Sequence, residues 1–167
     1  QEPQALYICQ DGAREGNEND RIKCQEVRDV VNELTSVYKA NYKHFKLYTS
    51  YQSKNLGCGP GPQVGITWFF ENVEQGIIME DDCLPHPDFF GYCEELLVRY
   101  KDNPQVQFIN STLYHNRWKC DGSYGFSHYM VTGAWAAWRN TWQGFDLDLH
   151  DMDAWPFRKH VLKLTKN

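Results

Sequence analysis

"GIIMEDDCLPHPDFF", Gly76 to Phe90, runs an apolar segment directly into three adjacent carboxylates, Glu80, Asp81 and Asp82, and then into a proline-flanked turn. Neighbouring carboxylates repel one another and are costly to take out of water. A fold accepts them cheaply only where they face solvent or hold a cation. The nearly continuous apolar run before them has the pattern of a strand covered on both faces. Pro85 and Pro87 interrupt the chain, after which Phe89, Cys93, Leu96, Leu97 and Tyr100 recur at helical intervals. The stretch therefore reads as strand, acidic turn and helix, with the carboxylates at the strand's carboxyl end.

Working outward, the upstream half repeats this arrangement. Ala5 to Cys9 is a short apolar run closed by "QDG", a turn signal after a strand. Val27, Val30, Val31, Leu34, Val37 and Tyr38 then mark an amphipathic helix, and "YKHFKLYTS", Tyr42 to Ser50, alternates as a strand does. "NLGCGPGPQ", Asn55 to Gln63, is the densest cluster of structure breakers and opens a helix over "QVGITWFFENVE". Downstream, "VQFIN" reads as a strand and "TGAWAAWRNTW", Thr132 to Trp142, as a helix. Alternating strands and helices imply parallel pairing with right-handed crossovers, and hence an α/β sandwich around a mostly parallel sheet. In such sheets ligands lie beyond the carboxyl ends of the strands. Both "QDG" and "EDD" fall there.

Composition narrows the partners. The 167 residues suit one domain spanning 1–167, and 41% hydrophobic with 15% aromatic residues supply a real core. A net charge of −5 leaves no basic face for nucleic acid, so an anionic ligand would need a local device such as a metal ion or a helix N-terminus. The six cysteines show no CxxC pairing, and reduced core thiols in a cytoplasmic protein are expected. Disulfides in the lumen of the secretory pathway are the alternative. No apolar run approaches the ~20 residues of a membrane span, and the sequence opens without a signal peptide's pattern.

For the acidic triplet, oxygen ligands suit Mg²⁺ or Mn²⁺ held jointly by Asp81, Asp82 and a phosphorylated ligand. A solvated acidic loop is the plain alternative. A zinc site on Cys83 and His86 lacks a second ligand pair. Asp11 in "QDG" either closes a turn or accepts an N–H from a ligand such as uracil.

The ordered set of "QDG", "NLGCGPGPQVGITWFFE", "GIIMEDDCLPHPDFFGYCEELLVRYKD" and "TGAWAAW" resembles the nucleotide-sugar glycosyltransferases of the GT-A fold over most of Leu6 to Trp142. It is similar to bacterial members and to the N-acetylglucosaminyltransferases that begin hybrid and complex N-glycans. The resemblance implies a Rossmann-like GT-A sandwich, here expected to lack the family's first strand, in a domain that is complete or truncated. It further implies Asp82 as ligand to the metal that bridges the donor diphosphate, with Asp81 at the ribose or in the metal shell. Glu80 would meet sugar hydroxyls, and Asp11 with Gly12 the nucleobase.

The reaction so implied is displacement at the anomeric carbon of a nucleoside-diphosphate sugar, a UDP-sugar in the first instance, by a hydroxyl of a glycan or other acceptor. It needs a carboxylate base, and "GFDLDLHDMDAW" offers Asp146, Asp148, Asp151 and Asp153. Asp153 is the candidate preferred. Two other functions remain open: a non-catalytic nucleotide-sugar or glycan binding module, and a metal-dependent phosphoryl-transfer enzyme using the same carboxylates.

Overall fold

The computed structural model describes residues 4–112 and 122–146. Asp148, Asp151, Asp153 and Cys120 lie outside the described residues. The chain forms, in order, β1 (Ala5–Gln10), α1 (Glu18–Asn41), β2 (Lys46–Tyr51), α2 (Pro60–Asn72), β3 (Gln75–Met79), α3 (Asp88–Arg99), β4 (Phe108–Asn110), β5 (Ala134–Trp138) and α4 (Arg139–Trp142). This is a mixed α/β fold, as the alternation of patterns implies.

The mostly parallel central sheet is not found among the described residues. β1 and β2 pair in parallel as a two-stranded sheet, and β3, β5 and β4 form a second, antiparallel one in that order. β3 and β4 still run the same way, because each is antiparallel to β5. The expected direction across α3 thus holds, but β5 is inserted between the two strands. Its segment, "AWAAW", was expected to be helical because alanine favours helices. Here its side chains alternate instead. Trp135 and Ala137 face Phe70, Ile66, Phe69 and Trp142, whereas Ala134, Ala136 and Trp138 face Phe89, Cys93, Leu96 and Leu97. Alanine suits a strand covered on both sides, where helices approach too closely for larger neighbours. Partners distant in sequence override the local propensity.

Hydrogen bonds pin these layers. Trp138 Nε1 donates to the Leu97 carbonyl at 3.3 Å, joining β5 to α3. On the opposite face Arg139 closes the end of α2, donating from Nε to the carbonyls of Phe70 and Val73 while its guanidinium meets Glu74 at 2.6 Å. A cation placed there also opposes the negative end of the helix dipole.

α1 departs from the expected packing. Asn17 caps it, its Oδ1 accepting the Asp20 N–H at 3.1 Å, yet no residue of the helix is buried. Arg28, Cys24 and Gln10 make its contacts with β1, while Val27, Val30, Leu34 and Val37 remain about half exposed. A sheet of two strands is too narrow to cover a stripe that wide.

Candidate functional site

α2 orients the two loops that carry the candidate residues. Along it, the Cα of Gly61 lies beside the Asp11 carboxylate, Gly65 sits against Cys9, and Phe69 stacks edge-on to Tyr7 at 5.2 Å. The helix therefore runs antiparallel to β1. Phe69 also closes over Gly76 at the start of β3, and Ile66 shares a cluster with Ile78 further along it. β1 and β3 thus point the same way, and "QDG" and "EDD" both lie at the end where α2 begins.

Asp11 is the hub of the first loop. Its Oδ1 accepts the N–H groups of Gly12 and Leu56, each at 2.8 Å. Its Oδ2 accepts the Gly57 N–H at 2.9 Å and the Asn55 side-chain amide at 3.0 Å. A carboxylate has about four lone-pair positions, so these donors fill it. Of the two readings of Asp11, closing a turn is the one its bonds display. Gly12 is required at this point, since a Cβ there would lie 2.5 Å from the Lys54 carbonyl carbon. Gly57 has φ +84°, a conformation costly for other residues.

The start of α2 brings a positive dipole end to Asp11 but few free donors. Pro60 and Pro62 have no N–H, and the amides of Gly61 and Gln63 bond to the carbonyls of Gly57 and Gly59.

The acidic turn is held by its backbone. The Glu80 N–H donates to the Gly133 carbonyl at 2.8 Å, extending the β3–β5 ladder by one residue, and the Cys83 N–H returns to the Glu80 carbonyl at 3.2 Å. Gly133 takes φ +112°, and a Cβ there would lie 3.1 Å from Cys83 Sγ. Glu80, Asp81 and Asp82 are all exposed. No cation pairs with any of them among the described residues, and Asp82 Oδ1 takes only the Cys83 thiol, at 3.6 Å. Burial first, and then Asp82 and Glu80, push that thiol's pKa up, so Cys83 stays a neutral neighbour.

Among the described residues no three His, Cys, Asp or Glu side chains come together as a ready-made metal cage, which includes Cys83 with His86. His86 Nδ1 instead accepts the Asp88 N–H at 3.3 Å. No hydrogen bond or ion pair joins Asp11 to the acidic triplet. Two open cavities, of about 420 and 390 Å³, lie elsewhere. The second borders the "QDG" loop at Ala13 and is lined by Arg21, Arg28 and Tyr51.

One residue escaped the sequence reading, and another has an unexpected environment. Asn55 clasps Asp11 from 44 positions away. Asn110, at the carboxyl end of β4, buries its Oδ1 without a hydrogen-bond partner, while the adjacent Ser111 Oγ donates to the Ala134 carbonyl at 2.8 Å. Nothing local in the sequence marks Asn55, because its partner is supplied by the fold, whereas Asn110 opens "NST", a glycosylation-acceptor pattern to which the sequence reading gives a structural role. The five described cysteines, Cys9, Cys24, Cys58, Cys83 and Cys93, are free thiols, but only Cys93 is buried, so the expected core placement fails for the other four. No helix among the described residues is long and apolar enough to cross a membrane. Compared with family models, curated proteins and solved structures, the chain matches none of them.

Proposed function

We propose that the chain is a metal-dependent glycosyltransferase that moves a sugar from a nucleoside-diphosphate donor to an acceptor hydroxyl. The observation that carries this reading is the acidic turn. Three solvent-facing carboxylates without a cationic partner are fixed by backbone hydrogen bonds at the carboxyl end of β3. The loop clasped by Asp11 follows β1 as the acidic turn follows β3, and in this reading the first would border the nucleoside and the second the metal-bound diphosphate.

Exposed carboxylate oxygens are hard ligands, so the donor set fits Mn²⁺ or Mg²⁺. Asp82 would hold the ion, with Asp81 beside it. When bound, such an ion supplies charge neutralisation for the leaving diphosphate. The absence of a protein cage is compatible with this, because these ions keep several waters and are completed by substrate phosphates. The chain's own side chains do the rest. Glu80 orients sugar hydroxyls, the Asp11–Gly12 turn borders the nucleoside, and Asp153 is assigned as the base that takes the acceptor's proton.

One feature favours a second reading, a module that binds nucleotide sugars without turning them over. The two prolines in the first turn of α2 remove N–H donors from the helix end nearest the carboxylates. One assay separates the readings. The protein is incubated with Mn²⁺ and a panel of nucleotide sugars, with and without candidate acceptors, and free nucleoside diphosphate is measured. Acceptor-dependent release supports transfer, whereas retention of intact donor supports the module. Breakage of the donor's diphosphate linkage would point to phosphoryl chemistry instead. Asp82→Ala is expected to abolish metal-dependent nucleotide binding. Unchanged affinity in that variant refutes both the transferase and the module.

A further inference from the structure

The cavity of about 390 Å³ is walled by Arg21, Cys24 and Arg28 of α1 and by Tyr51, Gln52 and Ser53 where β2 ends. It lies on the face of the β1–β2 sheet that α1 covers. Neighbouring residues of a strand point to opposite faces: Cys9 sits against Gly65 of α2, so Gln10, which bonds to Cys24 and Arg28, marks the other side. The Asp11 carboxylate turns towards Gly61 at the start of α2 and takes no part in this wall. Arg28 is held from two directions. Its Nε donates to Gln10 Oε1 at 2.8 Å, and its guanidinium carbon lies 4.7 Å from the centre of the Tyr51 ring. Gln10 is itself fixed, because its Nε2 donates to the Cys24 carbonyl at 3.1 Å. No carboxylate among the described residues pairs with Arg28, so the two outer nitrogens of its fork keep their N–H groups for another partner.

Arg21 stands two helical turns before Arg28 and borders the same cavity. It is exposed and meets only Glu18, at 3.2 Å, a surface pair that holds its arm weakly. On the same wall the Tyr51 hydroxyl is buried without a hydrogen-bond partner. Donors and positive charge thus exceed acceptors here, in a chain whose net charge is −5. We infer that this cavity binds the phosphate monoester of a small polyhydroxylated molecule, a sugar phosphate, with Arg28 as its fixed anchor and Arg21 as the second charge. The free outer edge of a guanidinium presents parallel N–H groups to two oxygens of one phosphate. Two cations suit the nearly dianionic charge of a monoester at neutral pH better than they suit a single carboxylate. The volume favours an ester over a bare phosphate ion, which would leave most of it empty, and Gln52 and Ser53 line the remainder with groups that bond to hydroxyls. The site is independent of the nucleotide-sugar reading, which concerns Asp11 and the acidic turn.

The test is calorimetry at pH 7.5 with EDTA present, using glucose 6-phosphate, inorganic phosphate and glucose as probes. The wild-type protein is expected to bind glucose 6-phosphate more tightly than inorganic phosphate, and glucose not at all. Arg28→Lys keeps the charge and most of the stem but removes the fork, and should weaken glucose 6-phosphate by about tenfold, the range of one charge-assisted hydrogen bond. Arg21→Gln changes an exposed helix position and leaves folding intact, so it guards against a structural effect at Arg28; it should weaken the same probe by about threefold or more. Asp82→Ala should bind all three probes as the wild type does, which separates this site from the metal-dependent one. Wild-type protein that binds neither phosphate probe overturns the inference, as does unchanged affinity in both arginine variants. Equal affinity for inorganic phosphate and glucose 6-phosphate overturns the ester. The nucleotide-sugar reading survives each of these results, since none of them involves Mn²⁺ or a nucleotide.

Discussion

Replacing Asp11 by alanine removes the acceptor of four hydrogen bonds at once, and the cost can be worked from their surroundings. A hydrogen bond to a charged group contributes ~1.5–3 kcal/mol when its loss strands the donor away from water, and much less where water refills the site. Three of the four are half-buried, and the fourth, from Asn55, is exposed. Water therefore replaces part of each, leaving about 0.5–1 kcal/mol per bond and about 3 kcal/mol in all. For a chain of 167 residues that corresponds to a fall in Tm of roughly 6–12 °C. Urea unfolding followed by tryptophan fluorescence measures the free energy directly. Asp11→Asn should fall between: one oxygen still accepts from Gly12 and Leu56, but an NH₂ group then faces the Gly57 and Asn55 donors. If Asp11→Ala unfolds within about 0.5 kcal/mol of the wild type, with an unchanged denaturant slope, the loop does not depend on this carboxylate.

The packing predicts a contrast within one helix. Leu96 is buried against β5 and Leu96→Ala should cost ~2–5 kcal/mol, whereas Val98, 70% exposed, should tolerate alanine within about 0.5 kcal/mol; urea midpoints of the two variants decide it. Cys93 makes stability depend on pH at the alkaline end. Burial pushes its thiol from 9.0 up to about 12, so the unfolded chain loses that proton at lower pH than the native one. The contribution is complete below pH 9 and falls as pH rises towards about 12. Unfolding free energies at pH 8 and pH 10.5 should therefore differ more for the wild type than for Cys93→Ala, and equal slopes would refute the assignment.

How far the sequence carries depends on where each element's partners lie. β3 and α3 were legible because their signals are local: an apolar run of strand length, and Phe89, Cys93, Leu96 and Leu97 at helical spacing, which are the residues α3 buries. β1, β2 and their parallel pairing were equally open to reading. "AWAAW" was not, because alanine and tryptophan say little in isolation, and the segment is a strand only because β3, β4 and the helices on both sides enclose it. The amphipathic stripe on α1 was read correctly as a helix, but its burial required a wider sheet than β1 and β2 provide. At the site, the carboxylates of "EDD" announced themselves. The Asn55 clasp did not, since a contact spanning 44 residues leaves no periodicity to find.

The corrected position of β5 also bears on the acidic turn. Had "TGAWAAW" formed a helix, the Glu80 N–H would have lacked its partner and the carboxylates would have hung on a free strand end. As a strand, β5 is preceded by Gly133, whose carbonyl takes that N–H and whose missing side chain leaves room for Cys83. Repulsion among three adjacent carboxylates would otherwise favour fraying of the turn, and one ladder bond opposes it from outside the acidic segment. The geometry of the triplet is therefore set by a residue more than fifty positions downstream. A side chain added at Gly133 would combine a strained φ of +112° with a 3.1 Å contact on Cys83, and so would disturb the carboxylates without touching one.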